Sequence, residues 1–154
     1  MKIQEFDIKQ CPDTRIITLH ALKTTEVSID SVNTSEQMYS LFLKLENPRV
    51  LADEFLYLFC FNAKMTPLGY FIVARGTCNA CYTNGRAIFM RALRVGAANI
   101  IVLHNHPSGD VLPSKDDKEM ASTLQQIADL LGVALADFCI VGDSFYSFRK
   151  NELL

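Results

Sequence analysis

Between His104 and Asp117 the sequence concentrates groups that bind metal ions: His104-Asn105-His106-Pro107-Ser108-Gly109-Asp110, then Pro113-Ser114-Lys115-Asp116-Asp117. Two of the three histidines stand one residue apart at the end of the apolar run Ile100 to Leu103. Side chains alternate across a strand, so His104 and His106 share a face while Asn105 points away, and a strand end can aim both imidazoles at one ion. Such a pair suits zinc, whose catalytic sites use three protein ligands and keep a fourth position for water. Asp117 is the best third ligand. It falls in the first turn of the helix that follows, and Pro107, Gly109 and Pro113 fold the loop back toward the strand end. Asp110, on the loop, and Asp116, on a neighbouring helical face, are weaker candidates.

A hydrolytic zinc site also needs a base to take the proton of the attacking water and a donor for the developing oxyanion. Glu54 stands at the edge of an apolar strand, where burial raises a carboxyl pKa toward the useful range. Ser114, next to the ligand loop, can supply the donor. Ser114 also stands three residues before Asp117 at a helix start, a capping-box spacing. The two roles are compatible, because a cap holds Asp117 where a metal needs it.

The elements that must position these groups are legible from periodicity. Arg15 to Leu22 reads as a strand. Thr34 and Gln37 form a capping box ahead of Met38, Leu41, Phe42 and Leu45 at helical spacing, with the helix ending near Asn47-Pro48. Glu54 to Phe61 is too short and too apolar for a surface helix and predicts a strand buried on both faces. A turn at Asn62 to Lys64 and a strand from Gly69 to Ala74 complete a hairpin. Ile88, Phe89, Ala92 and Leu93 predict a helix over 84–95 with Arg86, Arg91 and Arg94 on its solvated side, closed by Gly96. After the strand at Ile100, a long helix from Ser114 carries the stripe Met120, Leu124, Ile127, Leu131 and stops at Gly132. Ala136 to Val141 and Phe145 to Phe148 form a second hairpin around Gly142-Asp143. Strands and helices interleave, which predicts an α/β (α+β) layer structure, a mixed sheet flanked by helices. One domain over 1–154 is expected, with a strand and a helix in 1–50 ahead of a metal-binding core in 51–154.

A chain of 154 residues, 49% apolar, can build one ordinary core without staples. Its net charge of -2 points to no polyanion partner. The five cysteines are odd in number, and Cys60 and Cys139 lie in apolar runs as small buried thiols, which implies a reducing, cytoplasmic setting. The first residues hold acidic groups and no signal-peptide core, and no run of about 18 apolar residues spans a membrane. Cys78 and Cys81 lack the second Cys pair of a zinc ribbon and the His-x-Glu of zinc deaminases, so packing or incidental thiols are the favoured reading. His20 reads as a core or surface histidine. From Phe55 to Gly109 there is no acidic residue, while Lys64, Arg75, Arg86, Arg91 and Arg94 are basic. That stretch motivates a second reading, in which the chain is a non-catalytic accessory module binding a protein or nucleic acid.

Glu54, His104-x-His106, seven residues, Ser114, two residues and Asp117 resemble the JAMM motif of the JAB/MPN metalloprotease superfamily. More closely, the string from His104 to Asp110 with Pro113 to Asp117 resembles RadC-like JAB domains. The likeness extends through Glu54 to Lys64, Gly76-Thr77, Arg91 to Ala98, Ile140 to Gly142 and Tyr146 to Phe148. It implies a JAB/MPN-like mixed sheet with the layering of the cytidine deaminases and zinc on His104, His106 and Asp117. It further implies Glu54 as base, Ser114 as oxyanion stabiliser, and a peptide or isopeptide-like substrate. Two positions depart from the family pattern. Its Pro-Arg-Glu near the start of the middle helix is Gly85-Arg86-Ala87 here, and its Asp-His pair is Asp137-Phe138. Both lie outside the metal motif, so the expectation is that they bear on substrate recognition more than on metal binding.

Overall fold

Seven strands form one mixed sheet in the order β2-β1-β4-β3-β5-β6-β7 in the computed structural model, which describes residues 1–76 and 84–154. The strands are β1 Lys2–Gln10, β2 Ile17–Glu26, β3 Phe55–Phe61, β4 Pro67–Arg75, β5 Asn99–Asn105, β6 Ala134–Val141 and β7 Phe145–Ser147. The helices are α1 Ser35–Leu45, α2 Gly85–Arg94 and α3 Lys115–Leu131. The expected mixed α/β architecture is therefore present. Cys78 and Cys81 lie outside the described residues, as does Thr77.

β3 and β5 are the centre of the sheet, paired antiparallel with Leu56 opposite His104 and Phe61 opposite Asn99. Their side chains alternate between two cores. Leu56, Leu58, Cys60, Ile100 and Val102 meet α2 and α3 on one face, while Tyr57, Phe59, Phe61, Ile101 and Leu103 meet α1 on the other. A strand covered on both faces has no place for polar alternation, which is why these runs are apolar throughout. β5 and β6 are parallel, joined by α3 as their crossover, and β7 closes the edge as a hairpin. No helix among the described residues is long and apolar enough to cross a membrane.

The Thr34–Gln37 capping box opens α1, and Met38, Leu41, Phe42 and Leu45 are all buried, as their spacing predicts. Phe42 meets Tyr57 edge-on at 5.1 Å between ring centroids. Phe42→Ala is expected to cost about 3–5 kcal/mol in urea unfolding, because a buried ring is lost and its cavity cannot collapse onto a paired strand. A loss under about 1 kcal/mol would show that α1 contributes little to the core.

Four expectations need correction. The first 50 residues hold two strands, since β1 escapes the periodicity argument. It places Ile3 in the α1 core and Phe6 and Ile8 on the opposite face, so neither side reads as an apolar stripe among Lys2, Glu5, Asp7 and Lys9. The predicted Arg15–Leu22 strand runs instead over Ile17–Glu26, with an extra residue opposite Glu5/Phe6, and His20 is exposed with its ring against the Thr18 hydroxyl at 2.9 Å. The buried stripe of α3 is Asp117, Ala121, Leu124 and Ala128, while Leu131 is 44% exposed. Leu124 stands in that stripe as predicted and Met120 and Ile127 pack at its margin, while small alanines bring the helix close to the sheet. On α2, Leu93 faces solvent and Arg91 is half-buried, donating to the Ala87 carbonyl at 2.9 Å.

Candidate metal centre

The strand, loop and helix deliver three donors to one point. His104 continues the face of Ile100 and Val102, and so does His106 two residues on. α3 begins beneath that face, and Asp117, on its buried stripe, points the same way. The available donor atoms of His104, His106 and Asp117 lie within 4.8 Å of one another. Asp117 Oδ1 is 3.4 Å from His104 Nε2, and Asp117 Oδ2 is 3.8 Å from His106 Nε2. Zinc ligands at about 2.0–2.1 Å in a tetrahedron are separated by about 3.3–3.4 Å, so little movement is required.

Two of the three donors are already oriented by hydrogen bonds. His106 Nδ1 lies 2.7 Å from the Asp110 carbonyl, an acceptor only, so Nδ1 carries the hydrogen and Nε2 keeps its lone pair. Asp110 thus serves through its backbone, and neither it nor Asp116 joins the donor cluster. Asp117 Oδ2 accepts the Ser114 N–H at 2.7 Å and the Ser114 hydroxyl at 2.6 Å, while the Asp117 N–H donates to Ser114 Oγ at 3.2 Å. The capping box leaves Oδ1 for a ligand. His104 Nε2 is buried with no hydrogen-bond partner. An orphaned buried nitrogen costs free energy unless something fills it, and a cation between it and the carboxylate does so. The residues present fit a metal ion.

Glu54 lies just ahead of β3. Leu56, two residues on, pairs with His104, which brings the Glu54 end of β3 to the His104–His106 end of β5. Burial raises the Glu54 carboxyl above the ordinary value, with the charge of His106 opposing and that of Asp117 reinforcing, so the group is close enough to feel both. A groove of about 590 Å³ runs beside His106, lined by Pro48, Arg49, Ser108, Gly109 and Asp143 among others. Gly109 has φ +85° and packs on Asp143, and a Cβ on Gly142 would lie 2.5 Å from the Gly109 carbonyl, so both glycines let the ligand loop sit against the β6–β7 turn.

Two residues near the site escape the motif. Asn105, fully buried, bonds the backbone on either side of Glu54. Its signal was an Asn inside an apolar strand, where the residue is disfavoured unless it has partners. Phe138, where the family pattern has a His, meets the His104 ring edge-on at 5.5 Å. β6 runs parallel to β5 with His104 opposite Ile140, a register that sequence distance does not reveal.

Comparison with known proteins settles the family. The profile of the RadC-like JAB domain matches residues 32–153. The chain belongs to the RadC-like JAB domain family. A UPF0758 protein of Chlorobaculum parvum is 44% identical over 104 residues, 67% of this chain and 47% of that protein. UPF0758 protein CPE2144 of Clostridium perfringens is 32% identical over 150 residues, 96% of this chain and 66% of that protein. UPF0758 protein SH1266 of Staphylococcus haemolyticus is 38% identical over 102 residues, covering 45% of its length. The chain thus spans about half to two thirds of these RadC-like relatives.

Burial pushes the His104 imidazole well below its ordinary 6.5, helped by His106 and opposed by Asp117. In the metal-free RadC-like domain the folded state therefore refuses a proton that the unfolded chain accepts near pH 6.5. Stability should fall as pH drops from about 6.5 toward the folded value, because the unfolded state binds more protons in that window. Urea midpoints of metal-free protein at about pH 7.5, 6 and 5 are expected to decline in that order, with a shallower slope in His104→Leu. A parent no more pH-dependent than that variant would show that His104 does not titrate as its burial requires.

Proposed function

We propose that this RadC-like JAB domain is a zinc-dependent hydrolase of JAMM type that cleaves an amide or isopeptide-like bond. The observation that carries the reading is the convergence of one donor atom each from His104, His106 and Asp117 within 4.8 Å, with the Glu54 carboxyl near enough to feel the charges of His106 and Asp117. Two imidazoles and one carboxylate with room for a further ligand are the donor set of catalytic zinc. When bound, zinc supplies Lewis-acid polarisation of a carbonyl and an acidified water.

The chain's own residues do the rest. Glu54 takes the proton from the attacking water and delivers it to the leaving amine, the role for which a raised carboxyl pKa is suited. Ser114 can donate to the developing oxyanion without releasing Asp117, since its backbone N–H still holds Asp117 Oδ2 at 2.7 Å. The N-terminus of α3 adds its positive dipole end beside that charge. The groove beside His106 is the approach for an extended peptide.

The test is hydrolysis of a pooled library of peptides and ε-amino-linked isopeptides by protein carrying one equivalent of zinc. Cleavage should vanish on chelation and return with zinc. If stoichiometric zinc is verified and nothing in the pool is cut with or without it, the hydrolase reading fails and the accessory-module reading takes its place.

A further inference from the structure

Asn105 stands between the two histidine ligands, and its side chain reaches across the sheet to Glu54's neighbours. Its Oδ1 accepts the Phe55 N–H at 2.8 Å and its Nδ2 donates to the Asp53 carbonyl at 3.0 Å. The paired register of β3 and β5 ends at Leu56 and His104. Beyond that pair β5 turns to its other neighbour, where the His106 N–H donates to the Val141 carbonyl at 2.8 Å. The Asn105 amide thus supplies a donor and an acceptor where the strand backbone has left. On the far side, the Glu54 carbonyl accepts the Gly76 N–H at 2.8 Å. Glu54 is therefore tethered from β5 by one side chain and from the end of β4 by one backbone bond.

We propose that Asn105 is a positioning residue, which holds the Glu54 segment in a fixed relation to the ligands His104 and His106. The inference rests on the hydrolase reading for its purpose. Its physical content is that base and ligands share one strand end, so the Glu54 backbone cannot shift from the site without breaking two part-buried hydrogen bonds. Misplacing a catalytic group by about 1 Å can cost 10²-fold, and groups that support a metal site from behind its ligands commonly change affinity or activity by 10–100-fold. An apolar residue at 105 would leave the Phe55 N–H and the Asp53 carbonyl unpaired. Aspartate would keep the acceptor and turn a carboxylate oxygen against the Asp53 carbonyl.

The test uses the full chain with one equivalent of zinc and acetohydroxamate as probe, because a hydroxamic acid that binds zinc gives its proton to a neighbouring base. Glu54→Gln, Asn105→Ala and the double variant are compared. Zinc affinity is expected to stay within about threefold of the parent, since Asn105 bonds the Asp53 and Phe55 backbone and not the side chains of His104, His106 or Asp117. Hydroxamate affinity should fall about tenfold in each single variant, and the double variant should bind no more weakly than Glu54→Gln alone, as two residues acting as one unit require. Additive losses, or unchanged hydroxamate affinity in Asn105→Ala, would overturn the proposal. Asn105→Asp should give the same coupled loss and serves if the alanine variant does not fold. Coupled loss with no turnover of any peptide by the parent would leave the clamp standing and remove the hydrolase reading. Turnover abolished in Glu54→Gln yet retained in Asn105→Ala would do the reverse.

Discussion

Glu54→Gln should bind zinc at the parent's stoichiometry and lose about 10²–10⁴-fold in turnover of any peptide the parent cleaves. The magnitude follows from what the substitution removes. Glutamine keeps the size and hydrogen-bonding shape of the side chain, and none of the three metal donors is touched. Only proton acceptance is lost, and with it the step that both activates water and protonates the leaving amine. A base acting in the chemical step should lower kcat and kcat/KM together while leaving ground-state binding little changed. The place of Glu54 sharpens the expectation. Burial already disfavours its charged form, so the group is closer to the working range of a base than an exposed glutamate. Zinc content by mass spectrometry and turnover on the same sample decide the matter. Retention of full activity in the zinc-loaded variant would show that Glu54 is not the base.

The second large effect concerns the metal itself. His104→Ala/His106→Ala is expected to abolish stoichiometric zinc, with affinity falling by far more than the 10–100-fold seen when outer-shell partners are removed. Thermal unfolding gives an independent reading. Zinc at about 1,000 times its Kd stabilises a folded site by about 4 kcal/mol, which for a domain of this size is on the order of 10 °C in Tm. The parent should show that rise and the double variant none. The metal-free variant is expected to remain folded, because the core on the α2–α3 face is built from Leu56, Leu58, Val102 and Phe138 rather than from the imidazoles. Removal of His104 also removes a buried nitrogen with no partner, which offsets part of the packing lost. Equal zinc stoichiometry and equal Tm shifts in both proteins would place the metal elsewhere.

The sequence by itself determined the parts whose signals are local. A capping box is a four-residue pattern, so Thr34–Gln37 and Ser114–Asp117 could be read directly, and both are present with their reciprocal bonds. Runs such as Phe55 to Phe61, aromatic, apolar throughout and too short for an ordinary helix, announce a strand covered on both faces. His104 and His106 sharing a face follows from strand alternation alone, and Ser114 with Asp117 follows from one helical turn. That is why the candidate donor cluster was legible. The tertiary structure decided whatever depends on register between distant strands. β1 lies parallel to β4, with Glu5 opposite Tyr70, and polar residues on both its faces hid it from periodicity. Glu54 comes near His106 only because β3 and β5 pair with Leu56 opposite His104, and Asn105 spans the two strands for the same reason. Phe138 meets His104 because β6 lies beside β5. Pairing energies add over many residues and are set by which faces two cores require. The path from a motif to an assembled donor cluster therefore ran through contacts that no stretch of sequence contains.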